Sequence, residues 1–386
     1  MIYISHPKLE NRNGKIRYYV EVKGLEINKL WYEMPDYVEP YINIKDSSPF
    51  LVALLPQIAL RGESIVVEGL IQSTLYYNIT NKLFPLWNKY SSIFKPVALD
   101  IHSLLENSHR VSREGHIGTG VSCGVDSFDT IKTTLEYPKE NRIDTLTFFN
   151  TGSHRSTGGL GYEESKKLFK DRMERSRNCA QELGLNFLWV DSNVGDFLNT
   201  KYIQVHQFCN FSAVLACGSY FSKYYYSSGY PLDCFNIKHI DKDTAYYETY
   251  LCGLLSTENI DFVISGECKS RSDKVLNISD MPIAQKYLNV CFMNNDNCGF
   301  CEKCIRTQME LYAIGKLDSF SNVFDLSLFN KNRNKFLRFA CGLKHTDVYR
   351  DILNIMEEQN IPIPLSCKIY GNLKTTVRKL KKLTRR

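Results

Sequence analysis

Two stretches of this chain carry residue types whose spacing could do chemistry. The first is Val121-Ser122-Cys123-Gly124-Val125-Asp126-Ser127. It follows the Gly-rich Gly115-His116-Ile117-Gly118-Thr119-Gly120 and precedes Phe128-Asp129-Thr130-Ile131. A small, hydroxyl-rich loop between a strand and a helix's first turn leaves backbone N–H groups unpaired. With the helix dipole behind them, these groups suit phosphate. Gly124 allows close backbone approach, Ser122 and Ser127 can donate, and Asp126 fits a role holding Mg2+ or orienting the loop. The plainer reading is a Ser/Gly turn that only caps a helix. The second stretch holds Cys291, Cys298, Cys301 and Cys304, with Gly299 in the tight turn between two of them. Four thiolates with no fifth ligand fit a closed, tetrahedral structural Zn2+. Three Cys at this spacing with a remote fourth also occur in iron–sulfur ligation.

Three further candidates lie elsewhere. Gly266-Glu267-Cys268-Lys269-Ser270-Arg271-Ser272-Asp273-Lys274 offers Lys269, Arg271 and Lys274 as clamps on phosphate or carboxylate, against the alternative of a solvated basic turn. His154, in the polar loop Thr151–Gly159, is a candidate acid–base group or phosphate donor, although a loop His is often simply exposed. Cys123 at a helix start would be an activated nucleophile, but no base is identifiable beside it.

The elements that must position these residues fall into three segments. Residues 1–112 read as a small α+β domain. Its strands are Ile16–Val22, Lys29–Glu33, Glu63–Gly69 and Pro96–Ile101, and its helices start at Pro49, capped by Ser48, and at Ser73. Nothing there has catalytic spacing, so substrate positioning or dimerisation is its expected role. Residues 113–312 alternate strand and helix signals, which predicts a parallel sheet with covering helices. Its expected strands are Ile117–Val121, Thr145–Asn150, Asn186–Asp191 and Phe262–Glu267. Its expected helices are Phe128–Leu135, Tyr162–Leu183 and a buried Phe211–Tyr226. Ligands of such sheets bind at the strands' carboxyl ends, where Ser122–Ser127, Asn150–His154 and Gly266–Lys274 are expected to meet. Residues 313–386 read as a small helical extension with a basic tail.

Composition bounds the function. With 386 residues, 43% hydrophobic and 23% charged, the chain has the profile of a globular protein. No apolar run is long enough for a membrane helix, and the N-terminus shows no signal peptide. Both predict a cytoplasmic protein without membrane contact. Nine of the 13 cysteines are dispersed, which predicts reduced thiols and a metal, not a disulfide framework. The net charge of +6 is local: the seven cations from Lys374 to Arg386 have no acid among them and leave the rest at −1. Such a tail reads first as a solvated, frayed terminus and second as a nucleic-acid or acidic-partner contact.

The Ser-x-Gly-x-Asp-Ser loop after a strand resembles the PP-loop of the ATP pyrophosphatase, adenine nucleotide α-hydrolase-like superfamily. The added four-cysteine knuckle is similar to that of the 7-cyano-7-deazaguanine synthases. The resemblance covers roughly Gly115 to Thr307, with Phe148–His154 matching the second strand and loop and Gly266–Lys274 the basic stretch before the knuckle. It implies a Rossmann-like, HUP-type α/β fold and cleavage of ATP to AMP and pyrophosphate. On this likeness Ser122, Cys123, Gly124, Val125, Asp126 and Ser127 form the nucleotide loop, cradling pyrophosphate and Mg2+, with Gly266 in the later turn. Adenine would lie near Phe149 and Asn150, and the four cysteines would bind Zn2+. The chain departs from the pattern in having Cys123 where the motif has Gly, and in the shorter spacing from Cys291 to Cys298. The implied function is an ATP-dependent C–N ligase acting on a small molecule or a protein terminus, with a homodimer compatible. A tRNA-modifying PP-loop enzyme and a non-catalytic nucleotide sensor are the alternatives.

Overall fold

The computed structural model describes residues 1–95, 97–105, 115–154 and 162–383. Pro96, Arg155–Gly159 of the polar loop and the terminal Arg385 and Arg386 therefore lie outside the described residues. Two compact units divide the chain: Met1–Val121 with Thr133–Glu267, and Ser122–Lys132 with Cys268–Arg386. These divisions do not follow the expected cuts near 112 and 312.

The reason in the first unit is backbone pairing. Its N-terminal strands are β1 (Ile2–Ile4), β2 (Lys8–Asn11), β3 (Lys15–Lys23), β4 (Lys29–Pro35), β5 (Ile65–Val67), β6 (Ile71–Gln72), β7 (Leu99–Ile101) and β8 (Leu104–Leu105). Then come β9 (His116–Gly120), β10 (Thr145–Asn150), β11 (Asn186–Ser192), β12 (Phe221–Ser227) and β13 (Asp261–Ser265). Eleven of these strands form one sheet, in the order β13-β12-β9-β10-β11-β4-β3-β1-β5-β7, with β2 on β3. Asp191 and Ser192 of β11 pair antiparallel with Glu33 and Tyr32 of β4, so the N-terminal strands extend the same sheet.

The parallel part, β13-β12-β9-β10-β11, has the doubly wound order. Its first strand in the chain, β9, lies between β10 and β12, all parallel, and the order in which strands are added reverses there. That is the switch point at which open α/β sheets place ligands. One core underlies the sheet, including Phe50, Leu54 and Ile58 of helix Ser48–Arg61 and Phe208, Phe211 and Leu215 of helix His206–Ala216. Gly62 ends the former helix with φ +66°, a left-handed cap that glycine adopts without strain.

The expected helix Phe211–Tyr226 is corrected. It ends at Ala216, and Gly218 turns the chain with φ +62° into β12, a central parallel strand. Its largely apolar, aromatic-rich run carries no period that separates a buried strand from a buried helix. Pairing with β9 and β13 decides the matter. The expected helix Ser73–Tyr90 is a continuous helical segment with a π-helical stretch at Ile79–Leu83.

The second unit is helical. It contains Arg271–Ile278, Glu302–Ala313, Leu326–Gly342, Asp347–Glu358 and Leu365–Leu383. The last of these corrects the expectation of a frayed tail, since most of the basic stretch is helix. Among the described residues, no helix is long and apolar enough to cross a membrane.

Candidate anion site and metal centre

The second unit begins at Ser122, two residues after β9 ends. Ser122 is exposed and its Oγ accepts from Gly124 N at 3.2 Å. Ser127 Oγ donates to Gly124 O at 2.9 Å, and Phe128 N donates to the same carbonyl at 3.0 Å. The helix Val125–Leu135 thus starts inside the loop, three residues earlier than expected. Cys123, not Gly124, holds the special backbone, with φ +56° and its side chain buried. Glycine visits that region freely and L-residues rarely, so Cys123 holds a backbone conformation that favours glycine. Cys123 O accepts from Asn289 N at 2.7 Å, tying the loop to the chain ahead of the cysteine knuckle.

Asp126 Oδ2 receives Arg271 Nη1 at 2.9 Å, and Oδ1 receives Lys274 Nζ at 3.4 Å. Burial works to raise its pKa, but Arg271, Lys274 and Arg306 outweigh burial and lower it, so the carboxylate stays ionised. The helix bearing Arg271 and Lys274 is fixed by a capping box: Asp273 N donates to Ser270 Oγ at 3.2 Å and Ser270 N to Asp273 Oδ2 at 2.9 Å. Lys269 goes elsewhere. Its Nζ lies 2.7 Å from Oδ1 of the buried Asp129, which Asn277 Nδ2 also reaches at 2.7 Å.

Sequence reasoning missed the far wall of this cluster. Helix Glu302–Ala313 contributes Lys303, Arg306 and Glu310. Glu310 is buried, with Oε2 3.6 Å from Arg271 Nε. Burial raises its pKa against the pull of Arg271 and Arg306. Lys303 has a lowered pKa, from loss of solvent and then from the Arg306 and Arg271 guanidiniums. Four cations thus surround two carboxylates, and the excess positive charge suits an anion. The signal was available: positions 303, 306 and 310 share one helix face.

The four cysteines come together as expected. Their sulfurs all lie within 4.8 Å of one another, with Cys298–Cys304 at 3.9 Å and Cys301–Cys291 at 4.0 Å. A tetrahedral Zn2+ with Zn–S bonds of ~2.3 Å needs sulfur–sulfur edges of roughly 3.8 Å. The group could therefore hold one metal ion such as zinc. An iron–sulfur cluster, which interposes sulfide between the thiolates, would spread them further.

Amide N–H groups support the thiolate form. Cys301 N reaches Cys298 Sγ at 3.3 Å, and Asn294 N reaches Cys291 Sγ at 3.3 Å. Burial raises the Cys298 thiol, but the N–H groups of Cys301 and Phe300 outweigh it and bring it down to about 7. Gly299 takes φ +76°, and a Cβ there would lie 2.9 Å from Leu328 Cδ2. Asn297 pins the loop behind the metal ligands. Its Oδ1 accepts from Val290 N at 2.9 Å and Cys291 N at 3.2 Å, while Nδ2 donates to Leu288 O at 2.8 Å and Val323 O at 3.0 Å.

The remaining expected residues belong to the first unit. Asn150, at the end of β10, donates through Nδ2 to Asp191 Oδ1 at 2.7 Å. Burial raises the Asp191 carboxyl, with the Asn150 hydrogen bond opposing. Both line a small cleft with Trp31, His154, Asn193 and Asp196. His154 is buried, not exposed, with its ring 5.6 Å from Phe148 and 5.5 Å from Phe169. Burial, then Arg172, lowers its pKa to about 4, so it is neutral at pH 7. Phe149 stacks on Tyr224 at 6.2 Å, and Gly266 ends β13 in a left-handed turn with φ +81°.

No protein-family model matches the chain, nor does any curated protein or solved structure.

Proposed function

We propose that this chain is an ATP-dependent C–N ligase of the PP-loop class with a HUP-type fold, related to the 7-cyano-7-deazaguanine synthases. What supports the reading most is the convergence on Asp126, at a helix start, of Arg271, Lys274, Lys303 and Arg306. A phosphate loop needs surplus positive charge beside a helix start, and the cations around Asp126 supply it. Ser122 and Ser127 would donate to the phosphates, and Asp126 would turn from Arg271 and Lys274 toward Mg2+, freeing both cations for pyrophosphate. Bound Mg2+ supplies charge neutralisation between the phosphates. Lys269, held on Asp129, braces the loop helix and is not a phosphate clamp in this reading.

In the reaction an acceptor oxygen, from a carboxylate or ring carbonyl, attacks the α-phosphorus. The bond to pyrophosphate breaks, and an amine or ammonia then displaces AMP. The knuckle would hold structural Zn2+, outside the reacting atoms. Wild type supplied with its acceptor is expected to release AMP and pyrophosphate. Asp126→Asn and Arg271→Ala are expected to lose about 10²–10³-fold in rate while keeping their metal content. Release of ADP and phosphate would overturn the reading. ATP binding without turnover would leave the nucleotide site standing and remove the ligase.

A further inference from the structure

The last helix, Leu365–Leu383, is fastened by one face to helix Leu326–Gly342. The helices approach closely at glycines: a Cβ on Gly371 would lie 2.6 Å from the backbone O of Cys341, and one on Gly342 would lie 3.1 Å from Tyr370 Cε1. Cys367 is buried beside Asn334 O, Arg338 lies 4.3 Å over the Tyr370 ring, and Lys344 bonds Asn372. Arg378 meets His345. This face accounts for the helix's attachment. The opposite side carries Leu365, Ile369, Leu373 and Val377, exposed by 72%, 50%, 62% and 50%.

Residues four apart follow one another along a helix face, so these side chains make a continuous aliphatic stripe. Single exposed leucines are ordinary, but an ordered stripe that the fold does not use marks an interaction surface. The charge along it is one-sided: from Gln359 to Arg386 the chain has eight Lys and Arg and no Asp or Glu, and of these cations Lys368 pairs with Glu357 at 3.3 Å.

Charge and apolarity together select the occupant. A second copy of the helix would bring like charge against like charge. A nucleic acid would use the cations but leave the aliphatic side chains in water, since it is bound by stacking on aromatic groups. An anionic phospholipid surface uses both, taking the aliphatic face at the acyl boundary and the cations among the headgroups. We propose that Leu365–Leu383 lies in the plane of such a surface and docks the protein there peripherally. The proposal is independent of the chemistry at the nucleotide loop.

The test uses the full chain and sedimentation with vesicles of phosphatidylcholine alone or mixed with phosphatidylglycerol. Binding is expected only with phosphatidylglycerol present, falling as salt rises. The double variant Leu373→Glu, Val377→Glu is expected to weaken it by about tenfold or more. Both positions are solvent-facing and away from the glycine contact, so the melting temperature should not move. Absence of binding at low salt would overturn the proposal, as would undiminished binding by the double variant. It would also fall if the stripe instead mediated a dimer in solution, or if single-stranded RNA bound while the vesicles did not.

Discussion

At position 123 the backbone is left-handed with φ +56°, a conformation that costs an L-residue about 1–2 kcal/mol. Cysteine is small enough to bear it with its thiol buried, whereas a β-branched residue is not. Cys123→Gly should therefore keep the loop and the nucleotide affinity proposed for it, while the near-isosteric Cys123→Val should destabilise by about 1–2 kcal/mol and weaken that proposed ATP binding. Calorimetry on both variants checks this, and equal behaviour would sink it.

His154 carries the pH dependence. Its folded pKa of about 4 lies below the ordinary 6.5, so the folded state resists protonation. Its contribution is fully present above pH 6.5 and is lost as pH falls from 6.5 toward 4, by about 3 kcal/mol. Chemical denaturation at pH 7 and pH 4.5 should show that loss in wild type and a smaller one in His154→Gln. An unchanged loss in the variant would place the acid sensitivity elsewhere.

Elements here are set by what they touch. The segment Phe221–Ser227, aromatic-rich but holding Ser222 and Lys223, becomes a strand because β9 and β13 offer their backbones on either side. Local periodicity does not resolve so short an aromatic run. By contrast Thr145–Asn150 and Lys15–Lys23 were legible, the first bounded by polar turns and the second alternating along its length. The helix Leu365–Leu383 depends on a glycine contact that only its neighbour explains. Gly371→Ala places a methyl group against Cys341 O at 2.6 Å. That should cost about 1–3 kcal/mol and loosen this helix first, read as faster amide exchange in residues 365–383. Unchanged exchange would mean that the two backbones separate freely.

Across the whole molecule the chain makes two compact units, and the metal centre belongs to the one containing Ser122–Lys132 and Cys268–Arg386. Metal-binding energy is folding energy for the segment that holds the ligands. Elemental analysis should find about one zinc per chain. A strong chelator should raise amide exchange across residues 268–342 and leave 133–267 little changed. Asn297→Ala, which removes the brace behind Cys291, should weaken zinc by about 10–100-fold. Iron, or exchange rising equally in both units, would count against this account.

The sequence by itself determined the features that depend on spacing along the chain. These are the four-cysteine group, the small-residue loop ahead of a helix, the alternation that makes an α/β sheet, and the concentration of charge at the end. Only the tertiary structure decided which charges meet. Spacing groups Lys269 with Arg271 and Lys274 as a clamp, yet it neutralises Asp129, because a carboxylate with 1% exposure must be paired. Lys303, Arg306 and Glu310 joined Asp126 across a stretch of more than 170 residues, a contact with no local signature. The N-terminal strands merged into the parallel sheet for the same reason. An edge left by β11 exposes backbone donors and acceptors, and β4 satisfies them wherever it lies in the sequence.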